Sequence, residues 1–321
     1  MNSYTQKCKR LLLMLFLFSI SLSACAPEQV EGPVKLKIAV LRILDVLPIY
    51  VAEQQGYFAE NGVEVEFIPV SSAPERDQLI AAGQADGMIN EAMSTLFSNR
   101  DEVTVQVVRL ARAATVEYPV FRLLANGSSG VVDLETLKSV ETGISQGTII
   151  EYLMDRLVEA EGYSRDDFPK INIPSIPDRL TLMNSGELKA SILPDPFSLL
   201  ALQSGAVVVI DDSSHPEYGY STIAFRKETI DDSPEAIRGF LMAIEQAVAD
   251  INADPDQWIN LLVERELLPA PLVGEYHVGP YPTASVPSEA QIRDAADWAK
   301  SKGLLDKDPR YTDIVNDSFL P

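Results

Sequence analysis

The run Pro48-Ile49-Tyr50-Val51-Ala52-Glu53-Gln54-Gln55-Gly56-Tyr57-Phe58-Ala59-Glu60-Asn61-Gly62-Val63-Glu64-Val65 changes its hydrophobic period midway. Pro48 suits the first turn of a helix, where its missing N–H loses no bond, and the helix is expected to reach about residue 59. Asn61-Gly62 stops it, and the apolar run 63–70 reads as a strand. Residues 36–41, just upstream, read as a buried strand as well. Strand, helix and strand in that order form the unit from which parallel α/β sheets are built.

The same alternation continues outward. Pro74 begins a helix ended by Gly83, residues 86–89 form a short buried strand, a helix starts at Glu91, and 103–110 is the next strand. Residues 120–125 leave this unit as a strand, and Asn126-Gly127-Ser128-Ser129-Gly130 is a turn-rich break. A second α/β unit follows, with strands at 142–145, 171–173, 189–193 and 206–210. Its helices run from Thr148 to about 160, over 177–184 and over 197–203. Residues 221–225 are placed to cross back, and helices over 234–252, 255–264 and 289–302 complete the chain. Short apolar β-branched runs between helices imply parallel strands covered on both faces. Residues 79–89 echo residues 182–192 at an offset of 103, each reading as helix, Gly stop and small-residue strand. The echo fits two lobes built alike, or the general look of any helix-Gly-strand unit.

At the amino end, Lys7, Lys9 and Arg10 precede the apolar run 11–22, and Leu22-Ser23-Ala24-Cys25 has the form of a lipobox. Residues 1–24 are therefore expected to be a lipoprotein signal peptide, Cys25 the lipidation site, and 25–34 a flexible tether. The run is shorter than the ~20 residues a membrane span needs. Localisation is then extracytoplasmic, with the chain anchored to the membrane by acyl chains. Cys8 and Cys25 are the sole cysteines, so the exported part keeps none for disulfides or nucleophilic chemistry. A formal net charge of −21, made more negative by loss of the leader, argues against nucleic acid as a partner. His215 and His277 lie too far apart in sequence to suggest a metal site, and neither metal nor cofactor is expected.

On these residues the chain resembles the extracytoplasmic substrate-binding proteins of ABC importers, in the branch that takes nitrate, sulfonates, taurine and thiamine precursors. The segment 48–65 carries most of the likeness, supported by Ala82-Gly83-Gln84-Ala85-Asp86, Asp133-Leu134-Glu135-Thr136-Leu137 and Trp298-Ala299-Lys300-Ser301-Lys302-Gly303-Leu304-Leu305. Lys189 departs from it, standing where the family often has Asp. The resemblance implies a type II periplasmic-binding-protein fold, with two Rossmann-like lobes joined by two crossing strands and a ligand cleft between them. Residues 35–122 with 219–321 would form the first lobe and 123–218 the second.

Ligands of α/β sheets sit off the carboxyl ends of the strands, where loops and helix N-termini face the crevice. That rule selects Arg42, Asp45, Asn90, Glu91, Arg112, Glu117, Tyr118, Gln146, Thr148, Asp195 and Phe197 as candidate ligand-binding residues. Arg42 and Arg112 could pair with an anion or with neighbouring carboxylates. Asp45, Glu91, Glu117 and Asp195 could bind an amine or ring N–H groups, and Tyr118 and Phe197 could stack on a planar group. Four carboxylates against two arginines favour an organic solute with donors over a simple inorganic anion. The expected function is capture of a small organic molecule by a monomer and its delivery to an ABC importer permease, without a reaction. The alternatives are a sensor module for a membrane signalling partner and a pyrimidine-forming enzyme of the same fold, for which clustered Cys and His are missing.

Overall fold

The computed structural model of the chain describes residues 32–321. Strand β1 (Val34–Leu41) passes through a 3₁₀ turn (Leu44–Val46) into helix α1 (Leu47–Gln55), and the short helix α2 (Tyr57–Glu60) leads to β2 (Val63–Val70). The single helix expected over 48–59 is thus two pieces. Gly56 takes φ +82°, a left-handed conformation open to glycine, and its N–H closes α1 on the carbonyls of Ala52 and Glu53. Then come α3 (Ala73–Ala81), β3 (Gly87–Asn90), α4 (Ala92–Ser98) and β4 (Val105–Ala113).

The chain next forms β5 (Phe121–Ala125), α5 (Leu134–Leu137), β6 (Thr142–Ile144), α6 (Ile149–Ala160), β7 (Lys170–Asn172), α7 (Ile176–Ser185), β8 (Ala190–Pro194), α8 (Phe197–Gln203) and β9 (Val207–Asp211). It returns as β10 (Tyr220–Arg226), followed by α9 (Lys227–Asp232), α10 (Pro234–Ala253), α11 (Ile259–Glu264), α12 (Glu289–Ser301) and α13 (Tyr311–Ile314).

The strands make two five-stranded sheets, ordered β2-β1-β3-β10-β4 and β7-β6-β8-β5-β9. The fold is α/β with two lobes and two crossings, as expected, but the sheets are mixed where parallel ones were expected. In each, the strand that arrives from the other lobe runs antiparallel to its neighbours: β10 between β3 and β4, and β5 between β8 and β9. Such a strand enters its sheet from the edge where its neighbours end, so its own first residues lie beside their carboxyl ends.

The two sheets share one plan, and the echo noted in sequence marks equivalent parts of it. Helix α3 with β3 and helix α7 with β8 hold the same places in their sheets. Their N-caps, Ser72 and Ser175, accept from the N–H three residues on, and both helices carry Pro in the first turn. After each helix a glycine adopts positive φ, Gly83 at +66° and Gly186 at +81°.

The apolar core does not divide cleanly between the sheets. One cluster runs from Ala39 and Met88 of the first sheet through Leu123 and Ile144 of the second to Trp298. Trp298 on α12 is fully buried, and its Nε1 donates to Asp155 Oδ2 on α6 at 2.9 Å. Asp294, one turn earlier, accepts from Tyr152 Oη at 2.6 Å and Arg156 Nε at 2.9 Å. Helix α12 therefore ties the C-terminal segment to the second sheet. At the crossing, fully buried Asp212 accepts from the backbone N–H groups of Val120, at 2.9 Å, and Phe121, at 3.1 Å, clasping one connection to the other.

Candidate ligand-binding site

A narrow cavity of about 50 Å³ lies where the carboxyl ends of β1, β3 and β8 meet the first residues of β5 and β10. That is room for a few water molecules. The first lobe contributes Asp45, Arg76, Asn90, Glu91, Tyr220 and Ser221, the crossing strand β5 contributes Phe121, and the second lobe contributes Ser145, Thr148 and Arg179. Leu41, Ile43, Ile89, Ile150 and Ile176 supply an apolar wall.

Many polar atoms here are buried without a partner. Asp45 is 2% exposed and neither carboxylate oxygen accepts a hydrogen bond; the Arg112 guanidinium stands 3.7 Å away. Burial pushes the Asp45 carboxyl above its usual range, against the pull of Arg112. Tyr220 Oη, Ser221 Oγ and Ser145 Oγ are likewise unpartnered, and so is Arg179 Nη2. Such groups cost about 1–3 kcal/mol each when left unpaired, so a wall that gathers several is built for something that pairs them.

Other lining residues are already satisfied and act as framework. Asn90 donates to Thr95 Oγ1 at 2.9 Å and accepts from Thr222 Oγ1 at 2.6 Å. Glu91 lies 3.4 Å from Arg76 Nη2; burial raises its carboxyl and the arginine opposes the rise. Thr148 caps α6 and donates to Ser145 O at 2.8 Å.

Of the residues selected from sequence, Asp45, Asn90, Glu91 and Thr148 line this cavity. Arg112, Glu117, Tyr118 and Asp195 instead line a separate groove of about 250 Å³ with Tyr276 and His277. In it Asp195 is ion-paired with Arg122 and accepts from Ser198, while Arg112 Nη2 stands 4.0 Å off. Arg112 thus lies between cavity and groove. Three of the selected residues, Arg42, Gln146 and Phe197, line neither the cavity nor the groove. Arg42 faces solvent in an ion pair with Glu266 at 2.7 Å, because it follows the last residue of β1 on the outer side. Gln146 is exposed, and Phe197 packs against an apolar cluster drawn from both lobes, which includes Leu41, Val70, Ile176 and Leu193. Cys25 lies outside the described residues.

Sequence reasoning missed Arg76, Arg179, Tyr220 and Ser221. The two arginines are the fourth residues of α3 and α7, N-terminal turns that the rule covers but the selection left out, and the other two sit at the start of an antiparallel strand, a place it does not visit. A signal for the arginines was present all the same: Ser-x-Pro-acid-Arg occurs at 72–76 and again at 175–179.

Comparison with known proteins agrees with this architecture. The formylaminopyrimidine-binding protein of Halalkalibacterium halodurans is 21% identical over 268 residues, covering 80% of this chain and 77% of that one. The 4-amino-5-hydroxymethyl-2-methylpyrimidine phosphate synthase THI13 of Saccharomyces cerevisiae is 21% identical over 224 residues, covering 65% and 64%. The ligand-binding component of an ABC-type import system from Staphylococcus aureus superposes with a TM-score of 0.72 at 14% identity, covering 89% of this chain and 97% of that one. Its fold is therefore the fold of this chain. The family described as NMT1/THI5 like matches residues 44–258, which is most of the chain, and the protein belongs to that family.

Proposed function

We propose that the chain is a solute receptor that closes its two lobes on a small organic molecule and hands it to an ABC importer permease. The observation that carries this reading is the interlobe cavity, whose unpaired polar atoms come from both lobes. A solute that satisfies both sets binds the closed form better than the open one, and only such differential affinity shifts the population. The space is tight enough that access requires the lobes to separate. Division of the chain into 35–122 with 219–321 and 123–218, attachment through Cys25, an extracytoplasmic location and a monomeric state complete the proposal. Among the described residues no helix is long and apolar enough to cross a membrane.

The site favours a donor-bearing organic solute over nitrate or a plain sulfonate, because Asp45 offers acceptors that no donor satisfies. One relative is named for binding an aminopyrimidine and another for making one, which makes that class the first to try. Binding without reaction is the reading we favour, since neither Cys nor His lines the cavity. A thermal-shift screen of the full chain against aminopyrimidines, amines, flavins, sulfonates and nitrate tests it. A ligand at 100 times its Kd stabilises by about 2.7 kcal/mol. The expected hits are organic solutes with N–H donors, and a hit list of nitrate and simple sulfonates alone would refute the reading.

A further inference from the structure

Arg76 and Arg179 are equivalent residues of the two lobes, 103 positions apart on helices α3 and α7. Both are essentially fully buried and both line the cavity. Each guanidinium also reaches the same backbone position of its own sheet: Arg76 Nη1 donates to Ile89 O at 3.2 Å, and Arg179 Nε donates to Ile192 O at 3.3 Å. Their charges are treated differently. Arg76 is ion-paired with Asp77 at 2.8 Å and Glu91 at 3.4 Å. At the matching places of the second lobe stand Leu180 and Pro194, which carry no charge.

Arg179 therefore meets only carbonyl oxygens. Besides Ile192 O, its Nη1 donates to Ile173 O at 2.8 Å and Pro174 O at 3.1 Å, and Nη2 has no partner. Among the described residues no carboxylate lies within ion-pairing distance of it. Burial lowers its pKa to about 10, with no acidic neighbour to offset the effect. A buried cation without a counter-charge is costly and is normally paired. Across the cavity the first lobe presents a buried Asp45 whose oxygens accept no hydrogen bond and whose charge is faced by Arg112 at 3.7 Å.

We infer that the solute is dipolar, with a donor-bearing end held by Asp45 of the first lobe and an anionic or strongly accepting end, such as a carboxylate or an amide carbonyl, held by Arg179 Nη2 of the second. The inference rests on the receptor reading above and deepens it. A solute with only one of these ends leaves either the Asp45 oxygens without a donor or the Arg179 cation without a counter-charge, so it binds the closed form poorly. The device also orients the solute, because Arg76 is already neutralised by Asp77 and Glu91, and Arg112 faces Asp45 and Asp195.

Thermal shift and calorimetry on the full chain test this with matched pairs that differ in one end group. Suitable probes are 4-amino-2-methylpyrimidine-5-carboxylate against 4-amino-2-methylpyrimidine, and β-alanine against propylamine. Any other solute found by screening is sorted by the same rule. The dipolar member is expected to bind more tightly, and Arg179→Met is expected to remove roughly 30-fold to a few thousand-fold of that affinity, the range for truncating one member of a buried charged contact. The selectivity of the native chain needs no variant, so the test stands even if Arg179→Met does not fold. A donor-only solute bound as tightly as its dipolar partner, or a dipolar solute bound equally well by Arg179→Met, overturns the inference and leaves the receptor reading intact. Failure of every small solute to bind overturns the receptor reading and this inference with it.

Discussion

Neither Asp45 oxygen accepts a hydrogen bond and the nearest guanidinium, Arg112, stands 3.7 Å off, so this carboxylate destabilises the empty protein as it would serve a bound one. Asp45→Asn is expected to raise the stability of the unliganded chain at neutral pH by about 1–3 kcal/mol, the cost of an unsatisfied buried acceptor, while weakening solute binding. Chemical denaturation and calorimetry on the same variant check both halves; lower stability would mean that Arg112, 3.7 Å away, depends on it. Glu91 is the contrasting case, because it neutralises Arg76. Glu91→Gln leaves a buried cation with Asp77 alone and is expected to cost about 3–5 kcal/mol of stability, read from the denaturation midpoint. At this scale the sequence was legible where the chemistry follows strand ends. Asp45, Asn90, Glu91 and Thr148 were placed by that rule and line the cavity. Arg42, chosen by the same rule, does not line the cavity, because one residue past a strand end can point to either side. The repeat at 72–76 and 175–179 marked Arg179, but its role was not legible, because that role lies in what Leu180 and Pro194 lack, and a missing counter-charge shows only once partners in space are known.

The elements that join the lobes carry their own constraint. A Cβ on Gly219 would stand 2.0 Å from Asp212 Oδ2, so the clasp between the two connections requires glycine for close approach. Gly219→Ala is expected to displace Asp212 and cost about 1–3 kcal/mol, measured by denaturant unfolding. Burial raises the Asp212 carboxyl to about 7, against 3.8 ordinarily. Between those values the folded chain keeps a proton that the unfolded chain has lost, so this group's contribution to stability falls as pH rises from about 4 to about 7 and is level above. Asp212→Asn abolishes that dependence. Its stability relative to the native chain is expected to improve by about 3 kcal/mol on going from pH 5 to pH 8, and equal differences at the two pH values would place the proton elsewhere. Most elements were legible from hydrophobic period and Gly stops, and α8 was placed residue for residue. Gly56 was not recognised as a break, since an isolated glycine inside a helical pattern is often tolerated. The direction of β5 and β10 was not legible either: a strand's sequence reports its burial and carries no record of which way its neighbours run.

At the scale of the whole molecule, the two sheets repeat one plan while their equivalent arginines have opposite fates, and that asymmetry gives the cavity its polarity. The two-lobed plan could be read from the alternation of strands and helices, and the echo at an offset of 103 residues pointed to it. Docking of α12 on α6 through Trp298 and Asp155 could not, because no local pattern records which lobe a terminal helix will cover. The position of a bound solute in a crystal structure of the complex decides the central claim most directly. The account predicts density in the interlobe cavity, with one end of the solute within hydrogen-bond distance of Asp45 and the other of Arg179 Nη2. Solute seated in the groove lined by Tyr118 and Tyr276, with the cavity left to water, would contradict it.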